Sequence, residues 1–182
     1  MELRKFIATT LREYLNEQQE VLLAPNGNKS NLPSEQYKIV RTKEFKNWFG
    51  DWENNPNNSS KVVDDNGEPL IVYHRTYSDF YEFDNTKGIR KQGFVGGNLF
   101  YFGDDKYGYS SYGDREIEVF INLRNPAYEV NKGGKYILDI NDGAILKHDR
   151  FGEKETVVIA TKPNQIKKVD SITFSDSNDI RY

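Results

Sequence analysis

Lys61-Val62-Val63, then Asp64-Asp65-Asn66-Gly67, then Leu70-Ile71-Val72-Tyr73-His74-Arg75-Thr76 is the stretch on which the fold turns. Two apolar runs flank an Asn-Gly pair, the dipeptide that most readily supplies the positive φ angles of a tight hairpin turn. The reading is a β-hairpin. Working outward, the chain stays β-rich. Gly93 to Asn98 is a glycine-rich loop before a strand at Leu99-Phe100-Tyr101-Phe102, and Asp104 is placed to cap a helix running towards Tyr112. Glu116 to Leu123 alternates, with Ile117, Val119, Ile121 and Leu123 on one face, and Asn125-Pro126 ends it. Short elements follow around Tyr136-Ile137-Leu138 and Ala144-Ile145-Leu146, then strands at Thr156 to Ile159 and Ile172-Thr173-Phe174. Many strands with few, short helices predict an α+β fold on a split, mostly antiparallel sheet.

Towards the N-terminus, Leu3, Phe6, Ile7, Leu11, Tyr14 and Leu15 recur at helical spacing, with charged residues opposite. This amphipathic arm is expected to pack back on the domain, docking onto another protein being the alternative. Ala24 to Pro33 is rich in Pro, Gly and Asn and reads as a linker. A short helix is predicted over Thr42 to Trp52, with Thr42 as N-cap and Phe45, Trp48 and Phe49 on one side. The organisation is an arm over residues 1–23, a linker over 24–38 and one domain over 39–182.

Hydrophobic residues make up 36% of the 182 residues, so the core is modest; aromatics at 14% compensate, since each buried ring removes a large apolar area from water. A mean hydropathy of −0.80 fits a polar surface. The 25 basic and 28 acidic residues leave a net charge of −3, which counts against gripping nucleic acid chiefly through phosphates. No cysteine is present, which removes disulfides, a thiolate nucleophile and a cysteine zinc site. No apolar run is long enough to span a bilayer, and residues 1–7 lack the apolar segment of a secretory signal. A soluble, cytoplasmic protein without a membrane partner is expected.

The chemistry-bearing residues are scattered. His74, with Arg75 and Thr76, closes one strand; Tyr101 lies in the next; Tyr112 follows eleven positions later; Glu155 opens the run Thr156 to Ile159. This set resembles the ADP-ribosyltransferases of the diphtheria-toxin and poly-ADP-ribose-polymerase type, the His-Tyr-Glu class. It is most similar to the transferase domains of phage and mobile-element polyvalent proteins, with flanks like Val40 to Trp52 and Ser177 to Tyr182. The resemblance covers about residues 39–182.

The resemblance implies NAD as co-substrate and no metal. His74 would hydrogen-bond a ribose hydroxyl, the backbone around Arg75 and Thr76 would pair with the nicotinamide carboxamide, and Tyr101 and Tyr112 would sandwich the cationic ring. Glu155 would bind the 2′-hydroxyl of the reacting ribose and stabilise charge at its anomeric carbon. ADP-ribose, as a single unit, would pass to a host macromolecule, protein by default and nucleic acid as the alternative. The family usually has glycine where Arg75 stands. Main-chain hydrogen bonds survive a side chain there provided the backbone does not require positive φ, which would distort the nicotinamide pocket. The alternative is that Arg75 faces out and contacts an NAD phosphate. Tyr109 occupies a position where relatives often carry a small residue, and Ser110 or Ser111 would supply the missing hydroxyl.

Blander readings run beside these. His74 also suits a structural histidine, Tyr101 plain core, and Glu155 a solvated strand start. Glu153-Lys154-Glu155 and Glu116-Ile117-Glu118 match the Glu-x-Glu pattern of the Arg-Ser-Glu transferase class, whose other strands are missing. Asp139 to Gly143 reads as a turn, His148 as a surface residue, and Lys132 to Lys135 and Gln165 to Lys168 as solvated basic patches. The alternative functions are an NAD glycohydrolase, a non-catalytic binding module, and an accessory protein docking through its N-terminal helix.

Overall fold

The computed structural model describes residues 4–8, 10, 21–84, 86, 99–105, 113–129, 141–150 and 153–182. Its centre is a seven-stranded sheet of order β4-β5-β6-β2-β1-β3-β7. The strands are β1 (Val72–Thr76), β2 (Phe100–Gly103), β3 (Arg115–Ile121), β4 (Pro126–Ala127), β5 (Gly143–Arg150), β6 (Glu153–Ala160) and β7 (Ile166–Lys168). Only β4 with β5 runs parallel among the described pairs. Two short helices precede the sheet, α1 (Ser34–Ile39) and α2 (Lys43–Phe49). This is the expected α+β architecture on a mostly antiparallel sheet.

Alternation along the strands divides the apolar residues between two faces. On one face Val72, Phe102, Val119, Ile121, Val158 and Ile166 form the main core, closed by Phe83 and Ile180 from connecting segments. The other face is covered at its two ends. At one end α2 lays Phe45, Trp48 and Phe49 against Phe120 and Phe174. At the other, Ala144, Leu146 and Ile159 make a smaller patch. Between these ends lie β1 and β2, where Tyr101 is 41% exposed.

Several expectations shift. α2 is capped as predicted, Thr42 Oγ1 accepting from the Phe45 N–H at 3.2 Å, but it stops at Phe49 because Gly50 turns the chain at φ 100°. The hairpin shrinks to a bridge between Val63 and Pro69, since the Asp64 carboxylate takes the N–H groups of Asn66 and Glu68 into a compact turn. The segment read as a linker is folded instead. Leu23 bridges Lys29, Ala24, Ser30 and Leu32 are buried, and α1 follows.

Phe174 sits at φ 44°, outside strand geometry, and Ile172 is 80% exposed, so the strand expected there does not form. The missing edge is supplied by β7, in the stretch read as a solvated basic patch, where Lys167 is fully buried. In the N-terminal arm, residues 4–8 and 10 are helical, but Phe6 and Ile7 are exposed rather than packed back on the domain. Tyr136 to Leu138 and the loop Gly93 to Asn98 lie outside the described residues.

Candidate active site

β1 is a run of residues suited to a half-buried pleat, Val72-Tyr73-His74-Arg75-Thr76. It pairs with β3 at five successive positions, Val72 with Val119 through Thr76 with Arg115. With β2 it pairs at one only, Tyr73 with Gly103. Beyond that pair the seam between β1 and β2 is held by a side chain. The His74 Nδ1 lies 3.0 Å from the main-chain oxygen of Tyr101. A carbonyl can only accept, so Nδ1 carries the proton and Nε2 of the neutral ring is left as an acceptor. The rings of Phe83, Phe102 and Phe80 surround the imidazole at centroid distances of 5.0, 5.5 and 6.3 Å. Burial among them pushes the His74 pKa below its ordinary 6.5, against the weaker opposing pull of the carbonyl.

Tyr101 lies opposite Ile159 of β6, and its partial burial raises the phenol above its usual 10. Glu155 is four residues before Ile159 on the same strand, and so on the same face, about 13 Å along it at strand rise. Arg75 falls level with Tyr101 when the Tyr73–Gly103 pairing is continued, which puts it on this face too. His74 belongs to the opposite side of the pleat, with the edge of its ring turned into the seam. Tyr101, Glu155 and Arg75 thus share a surface, and His74 reaches its border from behind.

The Arg75 guanidinium is held 2.6 Å from Glu116, its cross-strand partner on β3, each side chain 17% exposed. The condition set on Arg75, a backbone that does not require positive φ, is met, and its guanidinium is engaged by Glu116. Phe174 is the one non-glycine residue with positive φ among those described, so Arg75 has ordinary strand geometry and carries a side chain without strain. Glu116 belongs to this ion pair rather than to a Glu-x-Glu site.

Thr76 ends β1, its Oγ1 accepting from the Ser78 N–H at 3.0 Å. Against its backbone lies Gly113, at φ 155°, where a Cβ would sit 2.2 Å from the Thr76 carbonyl carbon. That contact brings the residue after Tyr112 onto the end of the histidine strand. Tyr112, Ser111, Ser110 and Tyr109 themselves lie outside the described residues. Asp104, expected to cap a helix, donates its N–H to Thr156 O at 3.1 Å and accepts the Thr156 N–H on Oδ1 at 3.0 Å, tying β2 to β6 one residue from Glu155.

Sequence reasoning missed three contributors. Phe80 and Phe83 wall His74, and the signal was an aromatic pair three residues apart just beyond the strand. His148 is exposed as expected, yet it is the cross-strand partner of Glu155. No sequence signal marks that pairing, because it depends on the register of β5 on β6.

Residues 64–138 match the family described as ADP-ribosyltransferase in polyvalent proteins. The match supports an ADP-ribosyltransferase domain. It runs from the hairpin turn past β4, so it takes in the transferase-like strands of His74 and Tyr101 and stops before Glu155. No curated protein and no solved structure gave a match. The transferase family uses NAD as co-substrate, and among the described residues no group of three or more His, Cys, Asp or Glu is placed to hold a metal ion.

Proposed function

We propose that this chain is an NAD-dependent ADP-ribosyltransferase of the His-Tyr-Glu class, releasing nicotinamide and transferring a single ADP-ribose to a host macromolecule, protein by default. The supporting observation is positional. The family match spans β1 and β2, and the β2–β6 register carries Glu155 onto the same face as Tyr101. NAD is the substrate that suits these groups. Neutral Nε2 of His74 accepts from a ribose hydroxyl at the seam. The partly exposed ring of Tyr101 offers a π-face to the cationic nicotinamide, worth about 0.5–2 kcal/mol. The Glu155 carboxylate binds the 2′-hydroxyl and offsets the positive charge that grows at C1′ as the glycosidic bond lengthens. Thr76, Ser111 and Tyr112 complete the nicotinamide pocket in this reading, and the protein acts in the cytoplasm of the host cell.

The test is incubation of the chain with labelled NAD and host lysate, wild type beside Glu155→Ala. The expected result is labelled macromolecule and free nicotinamide, reduced on the order of a hundredfold or more by the substitution. Nicotinamide release without labelled macromolecule makes the protein a glycohydrolase. A wild type that consumes no NAD ends the proposal.

A further inference from the structure

β5 pairs with β6 at every position from Gly143–Ala160 to Arg150–Glu153, without a bulge, so the register at the far end is fixed by the buried end. Ala144, Leu146 and Ile159 anchor it. Two residues beyond Leu146, this register sets His148 directly across from Glu155. Directly opposed residues share a face, with Cβ atoms about 4.5–5.5 Å apart. Glu155 is half-buried at the border of the apolar patch and His148 is exposed beyond it. The neighbours of His148 on its own strand, Lys147 and Asp149, alternate to the other face, Lys147 lying 4.0 Å from Asp65. On the β2 side the Asp104 carboxylate is engaged by the Thr156 N–H. Arg150 and Glu153 are the next opposed pair on this face, so Glu155 is the charged residue set directly across from the imidazole.

We infer that His148 is a catalytic base that takes the proton of the incoming nucleophile, an inference resting on the transferase reading above. In that reaction the bond between C1′ and the nicotinamide nitrogen breaks, and its electron pair stays on the nitrogen, which leaves neutral. A nucleophile X–H forms the new C1′–X bond and must shed its proton. Glu155 is poorly suited to accept it, because a protonated carboxylate no longer offsets the charge at C1′. The adjacent neutral imidazole takes the proton instead, becomes an imidazolium held beside the Glu155 carboxylate, and returns the proton to water. No further reagent is needed.

The inference separates two reactions of one site. Transfer to water or to a macromolecule requires loss of a proton from the nucleophile; exchange of labelled free nicotinamide into NAD does not, since the attacking pyridine nitrogen carries none. Both are to be measured on the full chain for wild type, His148→Gln, His148→Ala and Glu155→Ala, with thermal denaturation as a check on folding. His148→Gln is expected to lower transfer and hydrolysis about a hundredfold, with exchange and KM for NAD within about twofold of wild type. Added imidazole is expected to restore transfer by His148→Ala, and Glu155→Ala to lose both reactions. Equal loss of exchange and transfer in the His148 variants, or no loss of either, overturns the assignment. A wild type inactive in both reactions overturns the transferase reading and this inference with it.

Discussion

At the scale of single residues, two side chains of β1 set what the site can do and under which conditions. His74 acts as an acceptor only while neutral, and burial already holds its pKa below 6.5. The folded protein therefore binds fewer protons than the unfolded chain between that lowered value and 6.5, so its stability is complete above 6.5 and declines as pH falls through this window. NAD affinity should follow the folded-state ring: level from about pH 8 through 6.5 and weakening only as pH falls through the lowered His74 value, read by titration calorimetry. Affinity that stays level through the titration of the His74 ring, followed by its NMR shift, removes the imidazole from the ribose contact. Arg75 carries a separate expectation. Replacing it by the family's usual glycine removes the Glu116 pair and loosens a strand interior, for a combined loss of about 1–2 kcal/mol in urea unfolding. NAD turnover is expected to persist, because only main-chain groups are assigned to the nicotinamide.

At the scale of elements, Gly113 fixes how the chain that leads into β3 meets the end of β1, where it lies against the Thr76 backbone. Glycine carries only a hydrogen where other residues carry Cβ, and any side chain would overlap Thr76 main-chain atoms at 2.2–2.5 Å. Gly113→Ala is expected to cost about 3 kcal/mol and to abolish NAD binding, whereas Gly27→Ala, with open space around it, should cost about 1 kcal/mol from its positive φ alone. Thermal denaturation of both variants checks the contrast, and equal losses would remove the close approach of Gly113 to Thr76 as its cause. Elements of this kind were only partly legible. β3 could be read because its alternation of Ile117, Val119 and Ile121 is a local signal. The hairpin was over-read because the Asn66-Gly67 turn said nothing of Glu68, whose carboxylate is drawn inside against Ser30 Oγ at 2.6 Å and Arg41 at 3.1 Å. For the site, His74, Tyr101 and Glu155 could be picked out as residues, whereas the pairing of His148 with Glu155 needed a register that no local pattern encodes.

At the scale of the whole molecule, β7 shows how distant segments convert a polar-looking stretch into core. Lys167 lies on the face of Phe120, fully buried, and donates to the main-chain oxygens of Ser177 at 2.6 Å and Asp179 at 2.9 Å. These bonds draw the C-terminal strap over the domain, where Ile180 donates to Tyr81 O and accepts from the Lys168 N–H, both at 2.8 Å. Ile180 then joins Phe83 in the core that backs His74. The neighbouring Lys168 instead reaches Asp170 at the surface. Lys167→Met strands the Ser177 and Asp179 carbonyls while relieving a buried charge, for a net loss of about 1–2 kcal/mol at pH 7. Lys168→Met is expected to cost under about 0.5 kcal/mol. Hydrogen exchange at the Lys168 and Ile180 amides should quicken in the first variant and not in the second. The pH dependence has a definite sign. Desolvation lowers the Lys167 pKa from 10.5 to about 8, against the opposing pull of Asp179 and Asp176, so between those values the unfolded chain binds more protons than the folded one. Wild type should therefore gain stability relative to Lys167→Met as pH rises from 8 to 10.5, and hold a constant difference below 8. Strap amides that exchange at wild-type rates in Lys167→Met, with no change in this slope, would mean that Ile180 alone holds the C-terminus in place.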